Sequence, residues 1–131
     1  MISRSDIKIM VLDDEPALLK LIQSYLEDEG FQVYLFSDAS DCLEKVKKIC
    51  PHLIILDLVM PALSGLAFLK KLREEDKELP VIILSAFTGD LTQDEMEAIR
   101  HYRVRDIISK SLDIKDSSFR IQKVLRDHYD F

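Results

Sequence analysis

Pro51-His52-Leu53-Ile54-Ile55-Leu56-Asp57 breaks a helical stretch, runs apolar for four residues and ends on a carboxylate. Four apolar residues in a row leave no polar face, which is expected of a β-strand covered on both sides within a parallel sheet. Outward from this stretch lie similar runs at Ile7–Leu12, Phe31–Phe36, Val81–Leu84 and, more weakly, Val104–Ile108. Four of the five runs are too apolar to alternate.

Amphipathic helices are predicted between the runs. Leu18, Leu21, Ile22 and Tyr25 follow the i, i+3, i+4, i+7 spacing of a buried helical face, and Gly30 stands where a C-terminal glycine belongs. Cys42, Leu43, Val46 and Ile49 mark a second helix, stopped by Pro51, and Leu66, Leu69 and Leu72 a third, ended before Pro80. Thr92 and Glu95 have capping-box spacing, with Leu91 and Met96 as its hydrophobic staple. A fifth helix carries Ile121, Val124, Leu125 and His128 on one face, capped by Asp113 or Asp116. Strand and helix thus alternate five times. Right-handed crossovers make this an α/β fold, a doubly wound parallel sheet flanked by helices, and residues 1–131 form one domain.

Composition agrees. The chain has 131 residues, 47% hydrophobic and 32% charged, with only three Gly and four Pro, so disorder and long linkers are not expected. Its net charge of −6 argues against general nucleic-acid binding, which needs surplus Lys and Arg. Cys42 and Cys50 are read as buried members of one helix, about 12 Å apart and out of disulfide reach. No signal peptide or apolar run of membrane-spanning length is seen, and a cytoplasmic location is expected.

In a doubly wound sheet, ligands bind beyond the carboxyl ends of the strands. Strand one ends in Asp13-Asp14-Glu15, strand three in Asp57 and strand four in Ser85, and strand five runs into Lys110. Each has an ordinary explanation alone. Asp14 would cap the first helix ahead of Pro16, Asp57 would be a solvated strand end, Ser85 a loop hydroxyl and Lys110 a surface lysine. Together, three carboxylates on one rim repel unless a cation joins them. An all-oxygen set without His or thiolate favours Mg²⁺, with Mn²⁺ as a substitute. Ser85 and Lys110 would meet phosphoryl oxygens, and Asp57 would act as the nucleophile, forming an acyl phosphate.

Val11-Leu12-Asp13-Asp14-Glu15-Pro16, then Leu53-Ile54-Ile55-Leu56-Asp57-Leu58-Val59-Met60-Pro61 with Gly65 beyond, then Pro80-Val81-Ile82-Ile83-Leu84-Ser85-Ala86 closely resemble the response-regulator receiver domain. The resemblance runs through essentially the whole chain. It implies a flavodoxin-like fold with strand order 2-1-3-4-5. It also implies that Asp57 accepts phosphate from a histidine kinase or phosphotransfer protein. Asp13, Asp14, Asp57 and the Val59 backbone carbonyl would hold Mg²⁺, while Ser85 and Lys110 would be the switch hydroxyl and the phosphate-pairing lysine. Such a domain modifies itself rather than turning over a substrate, and signals to an output partner.

Four departures from that family fall near the helix 4–strand 5 surface. Ser111 follows Lys110 where a proline is usual, Ile107 stands in place of an aromatic, and Arg103-Val104 replaces a small Gly-Ala pair. The Ser85-to-Lys110 stretch is also a few residues longer. An output through the helix 4–strand 5–helix 5 face, dimerisation through it included, would therefore differ from the usual one. Val59 and Phe87, both apolar, would shield the acyl phosphate from water.

Arg100-His101-Tyr102-Arg103-Val104-Arg105 is a basic cluster that suits an acidic partner, a dimer contact or nucleic acid; it equally suits a solvated helix end, where cations meet the dipole. His52, His101 and His128 have no metal-ligand spacing. Alternatives are a receiver-shaped scaffold that binds partners without regard to phosphate and a receiver fragment of a larger regulator or hybrid kinase. A Mg²⁺-dependent phosphohydrolase lacks its Asp-x-Asp pair, and a flavin-binding domain is disfavoured by Asp14-Glu15-Pro16, which would repel a flavin phosphate.

Overall fold

The computed structural model describes residues 2–58, 65–86 and 91–131. A 3-10 turn at Arg4–Asp6 precedes β1 (Lys8–Leu12), α1 (Pro16–Asp28), β2 (Gln32–Phe36), α2 (Ala39–Ile49) and β3 (Leu53–Asp57). There follow α3 (Gly65–Glu75), β4 (Val81–Ser85), α4 (Gln93–His101), β5 (Asp106–Ser109) and α5 (Ile114–His128). All strands pair in parallel, in the order β2-β1-β3-β4-β5.

The period of two along each strand explains why the central strands carry no polar face. Ile9, Val11, Leu53 and Ile55 join a core with Leu19, Ile22 and Leu26 of α1 and Ile121, Val124 and Leu125 of α5. Their neighbours Met10, Leu12, Ile54 and Leu56 join the opposite core with Cys42 and Val46 of α2 and Phe68, Leu69 and Leu72 of α3. Every residue of β3 and β4 is buried. β2 departs from the expectation: Gln32 is exposed and the rest only half-buried, because the strand order places it at the sheet edge. The fifth strand lies two residues later than predicted at its start, since Val104 and Arg105 belong to the turn that enters it.

Helix ends follow local chemistry. Pro16 opens α1, where its missing N–H has no cost. Gly30, with φ +102°, closes it: the Gly30 and Phe31 amides donate to the Glu27 and Leu26 carbonyls, the pattern of a left-handed terminus. The buried stripe of α1 is Leu19, Ile22 and Leu26, however, and Leu21 is half exposed. Cys50 is not helical but ends α2 in the left-handed region, with its thiol exposed and donating to the Lys47 carbonyl; only Cys42 is buried. The Thr92–Glu95 capping box forms as predicted, while Met96 is half exposed and Leu91 packs on the Leu58–Ile83–Ile99 cluster, so the staple contributes little. Asp113 caps α5 by accepting from the Lys115 amide, and His128 is exposed rather than on its buried face.

His52 has a structural part. The Lys8 amide donates to its Nδ1 at 3.0 Å, the Tyr129 hydroxyl donates to its carbonyl at 2.9 Å, and the Tyr129 ring meets the imidazole edge-on. Burial, then the Lys8 charge, push its pKa down. The folded state therefore favours the neutral ring: this stabilisation is complete above the unfolded-state value of about 6.5 and is lost as pH falls from there through the lower folded-state value. Urea unfolding at pH values from about 7.5 down to 5.5 is expected to show wild-type stability declining more steeply than that of His52→Asn. Parallel declines would contradict the assignment.

Candidate functional site

The topology brings the carboxyl ends of β1, β3, β4 and β5 to one rim. The Asp13 amide donates to the Phe36 carbonyl, continuing the β1 pairing, which turns the Asp13 side chain into the sheet's end rather than into solvent. Its Oδ1 accepts from the Glu15 amide at 2.9 Å. Glu15, not Asp14, occupies the N-cap of α1, and no side chain bonds there. Asp14 is therefore exposed and available to the rim. Asp57 ends β3, 5% exposed, and Ser85 ends β4, also buried.

Asp13, Asp14 and Asp57 each place a carboxylate oxygen within 4.8 Å of the others. Lys110 lies across them: its Nζ is 2.9 Å from Glu15 Oε1, 3.0 Å from Asp13 Oδ2 and 3.3 Å from Asp57 Oδ2. Its backbone amide donates to the Ser85 carbonyl at 2.8 Å, which ties the lysine to the end of β4. Burial alone would lower the Lys110 ammonium, but the hydrogen bond to Glu15 and the close carboxylates of Asp13 and Asp57 outweigh it and hold it well above its usual range. Burial likewise raises the Asp13 carboxyl, against the pull of the Glu15 amide and the Lys110 ammonium.

One atom bears on metal binding. Asp13 Oδ2 is fully buried and accepts no hydrogen bond; Lys110 stands close to it but off the bonding direction. A buried, under-satisfied carboxylate oxygen beside two more carboxylates fits a hard divalent cation such as Mg²⁺, which takes one or two carboxylates and keeps several waters. The donor set is all oxygen, as the cation requires.

Of the predicted site residues, the structure brings Asp13, Asp14, Asp57 and Lys110 together and sets Ser85 at the adjacent strand end. Val59 and Phe87 lie outside the described residues. Two contributors, Glu15 and Gly65, were quoted from the sequence without a role in the site. Glu15 pairs with Lys110 and was legible only as a third acid at the same strand end. Gly65 starts α3 against the site: its amide donates to the Leu58 carbonyl, and a Cβ there would lie 2.6 Å from the Asp57 carbonyl oxygen. The signal for it was a glycine opening a helix, where a close backbone approach is one meaning of the residue.

Around the departures, Ile107 is half-buried against Leu58, Ile83 and Ile99. Ser111 replaces proline stiffness with hydrogen bonds, its amide and hydroxyl both meeting the Ser109 hydroxyl. Asp106 at the start of β5 is gripped by both arms of Arg120 from α5, which also reaches the Ile107 carbonyl.

An acidic cation-ready pocket with a lysine, at the carboxyl rim of a 2-1-3-4-5 sheet, is the arrangement of a receiver-type signalling domain. The response regulator receiver domain family matches residues 9–122, and the chain belongs to that family. It is 32% identical to the response regulator Rre1 of Synechocystis sp., over 92% of this chain and 61% of that protein. It is 30% identical to the alkaline phosphatase synthesis transcriptional regulatory protein PhoP of Bacillus subtilis, over 91% of this chain and 48% of the relative. The chain thus spans about half to three-fifths of these relatives' length. A CheY-like receiver domain protein from Methanospirillum hungatei has the same fold, with a TM-score of 0.84 at 21% identity, covering 92% of this chain and 94% of the other. The N-terminal receiver domain of Klebsiella pneumoniae RstA matches with a TM-score of 0.80 at 23% identity over 91% and 98% of the two chains. As a response regulator receiver domain the chain is a part of two-component signalling. Among the described residues, no helix is long and apolar enough to cross a membrane.

Proposed function

We propose that this domain, taken as residues 1–131, accepts a phosphoryl group on Asp57 from a histidine kinase or phosphotransfer protein and thereby changes its affinity for an output partner. The observation that carries this reading is the convergence of Asp13, Asp14 and Asp57 beneath Lys110 on the carboxyl rim. An Asp57 carboxylate oxygen attacks phosphorus; the bond from phosphorus to the donor imidazole nitrogen breaks, and its electron pair stays on the imidazole, which takes up a proton from solvent. The product on this chain is an acyl phosphate.

Asp13, Asp14, Asp57 and the Val59 carbonyl would hold Mg²⁺, which when bound neutralises charge between carboxylates and the incoming phosphoryl group. Lys110 supplies a second positive charge, and to pair with a phosphoryl oxygen it must loosen its hold on Glu15. Ser85, at the end of β4, would donate its hydroxyl to another phosphoryl oxygen. The readout would pass to the helix 4–strand 5–helix 5 face. There the aliphatic Ile107, packed on Leu58, Ile83 and Ile99, takes the place of a rotating aromatic ring. The same switch serves a stand-alone receiver or one joined to an output domain, and a cytoplasmic setting suits it.

Intact mass after incubation with acetyl phosphate tests this reading. A gain of one phosphoryl group that requires both Mg²⁺ and Asp57 is expected, and Asp57→Asn should show none. No gain, with a phosphohistidine donor as well, would leave a receiver-shaped scaffold. For the apolar positions that follow Asp57 and Ser85, Val59→Asn is expected to speed loss of the phosphoryl group, measured by the decay of the same mass, because an amide there can orient an attacking water. Equal decay rates would remove the shielding role.

A further inference from the structure

We propose that the groove between the end of α3 and the turn from α4 into β5 binds a phosphate-bearing small molecule of nucleotide size, at the opposite end of the sheet from Asp57. Two adjoining hollows of about 580 and 320 Å³ share Arg73, Lys77 and Arg103. Volumes of this order suit small-molecule ligands. Lys70, Arg73, Lys77, Arg103 and Arg105 line them against only Glu74 and Glu78. This is a surplus of three positive charges on a chain whose net charge is −6.

Part of this surplus has a structural explanation. Arg73, 8% exposed, donates from Nε to the Tyr102 carbonyl at 2.8 Å and from Nη1 to the Asp76 carbonyl at 3.1 Å. It thereby satisfies carbonyls at the ends of α4 and α3, where a cation also meets the helix dipoles. Yet it forms no ion pair with a carboxylate among the described residues, and its guanidinium plane is held rigid at the wall shared by both hollows. Rigid forks of this kind suit phosphate oxygens.

Arg103 has no such explanation. It closes α4 in the left-handed region with φ 59°, the Arg103 and Val104 amides donating to the Arg100 and Ile99 carbonyls. At the equivalent position of α1 the chain has Gly30. A side chain with a Cβ in this conformation costs about 1 kcal/mol relative to glycine. Its carboxylate contact, Glu78 at 3.4 Å, joins two ends more than two-thirds exposed, and such a pair returns little. What the arginine adds at this place is a cation on the lip of the groove. The surface there is otherwise ring-like: Tyr102 and His101 meet edge to face at 4.8 Å and both line the larger hollow. Flat rings beside clustered cations suit a base with its phosphates better than the aliphatic and carboxylate side chains of an acidic peptide.

Titration of the full chain in EDTA, so that the acidic rim holds no metal, followed by NMR with ATP, inorganic pyrophosphate and adenosine as separate probes, tests the site. ATP is expected to bind saturably and shift Tyr102, Arg103 and Arg73, with pyrophosphate weaker and adenosine alone without effect. Arg103→Gly relieves the backbone strain, so it should keep or raise the unfolding midpoint while weakening ATP binding by about tenfold or more. Lys77→Gln, an exposed surface change, should weaken ATP similarly. Unsaturable shifts, shifts away from the groove, unchanged ATP affinity in both variants, or binding of a polyglutamate peptide in preference to ATP would each overturn the proposal.

Discussion

Lys110→Met is expected to cost about 3–5 kcal/mol of unfolding free energy in metal-free buffer, because it removes an ammonium that stands against Asp13, Asp57 and Glu15 and leaves buried carboxylates facing each other. Methionine keeps the length of the stem, so lost packing contributes little. Mg²⁺ should then return a larger share of stability to the variant than it adds to the wild type. A metal bound at 100 times its dissociation constant stabilises by about 2.7 kcal/mol, and in the variant it no longer competes with the lysine for Asp13 Oδ2. Urea unfolding of both proteins, with EDTA and with Mg²⁺, measures all four values. A loss under about 1 kcal/mol, as for an exposed pair, or equal Mg²⁺ gains in the two proteins, would mean that the lysine and the cation do not share the same carboxylates.

Gly65→Ala is expected to damage both fold and chemistry. The added Cβ would fall 2.6 Å from the Asp57 carbonyl oxygen and 2.8 Å from Leu58 Cα and from the Leu58 carbonyl oxygen. All three are backbone atoms of the segment that carries Asp57, so no side chain can turn aside. Overpacking of this kind costs about 1–3 kcal/mol. The displaced Asp57 should also react with acetyl phosphate more slowly, since a misplacement of about 1 Å can cost on the order of a hundredfold in rate. A mass time course beside urea unfolding separates the two effects. Wild-type values in both would show that α3 can shift outward freely.

The central strands were legible because their surroundings are uniform. In β3 and β4 every residue meets a helix on one face or the other, so a continuous apolar run means what it seems to mean. β2 also reads as a largely apolar run, yet it is an edge; edge position depends on strand order, which no local pattern encodes. The α1 stripe was misjudged for a related reason. Leu18, Leu19, Leu21 and Ile22 satisfy two adjacent helical faces, and only the docking of α1 against α5 decides that Leu19 and Leu26 go inward. Cys50 read as helical because its apolar neighbours continued the period, whereas its left-handed φ is set by the need to turn into β3 ahead of Pro51. At the rim, Asp13, Asp14, Asp57 and Lys110 could be placed together from topology alone. Glu15 could not be assigned its pairing with Lys110, because an acid beginning a helix has a sufficient local reason to be there.

The separation of charge along the sheet has a consequence for encounter. The carboxylates gather where the central strands end, and the cationic groove lies where β4 and β5 begin, about 17 Å away for strands of five residues. These two clusters set a charge separation along the strand direction, negative at the Asp57 rim. A donor bringing a positive field is met by a torque that turns this rim toward it before contact, and one bringing a negative field turns the domain the other way. Orientation, which limits the on-rate of most protein pairs, is in this way partly settled at a distance and fades as salt shortens the Debye length.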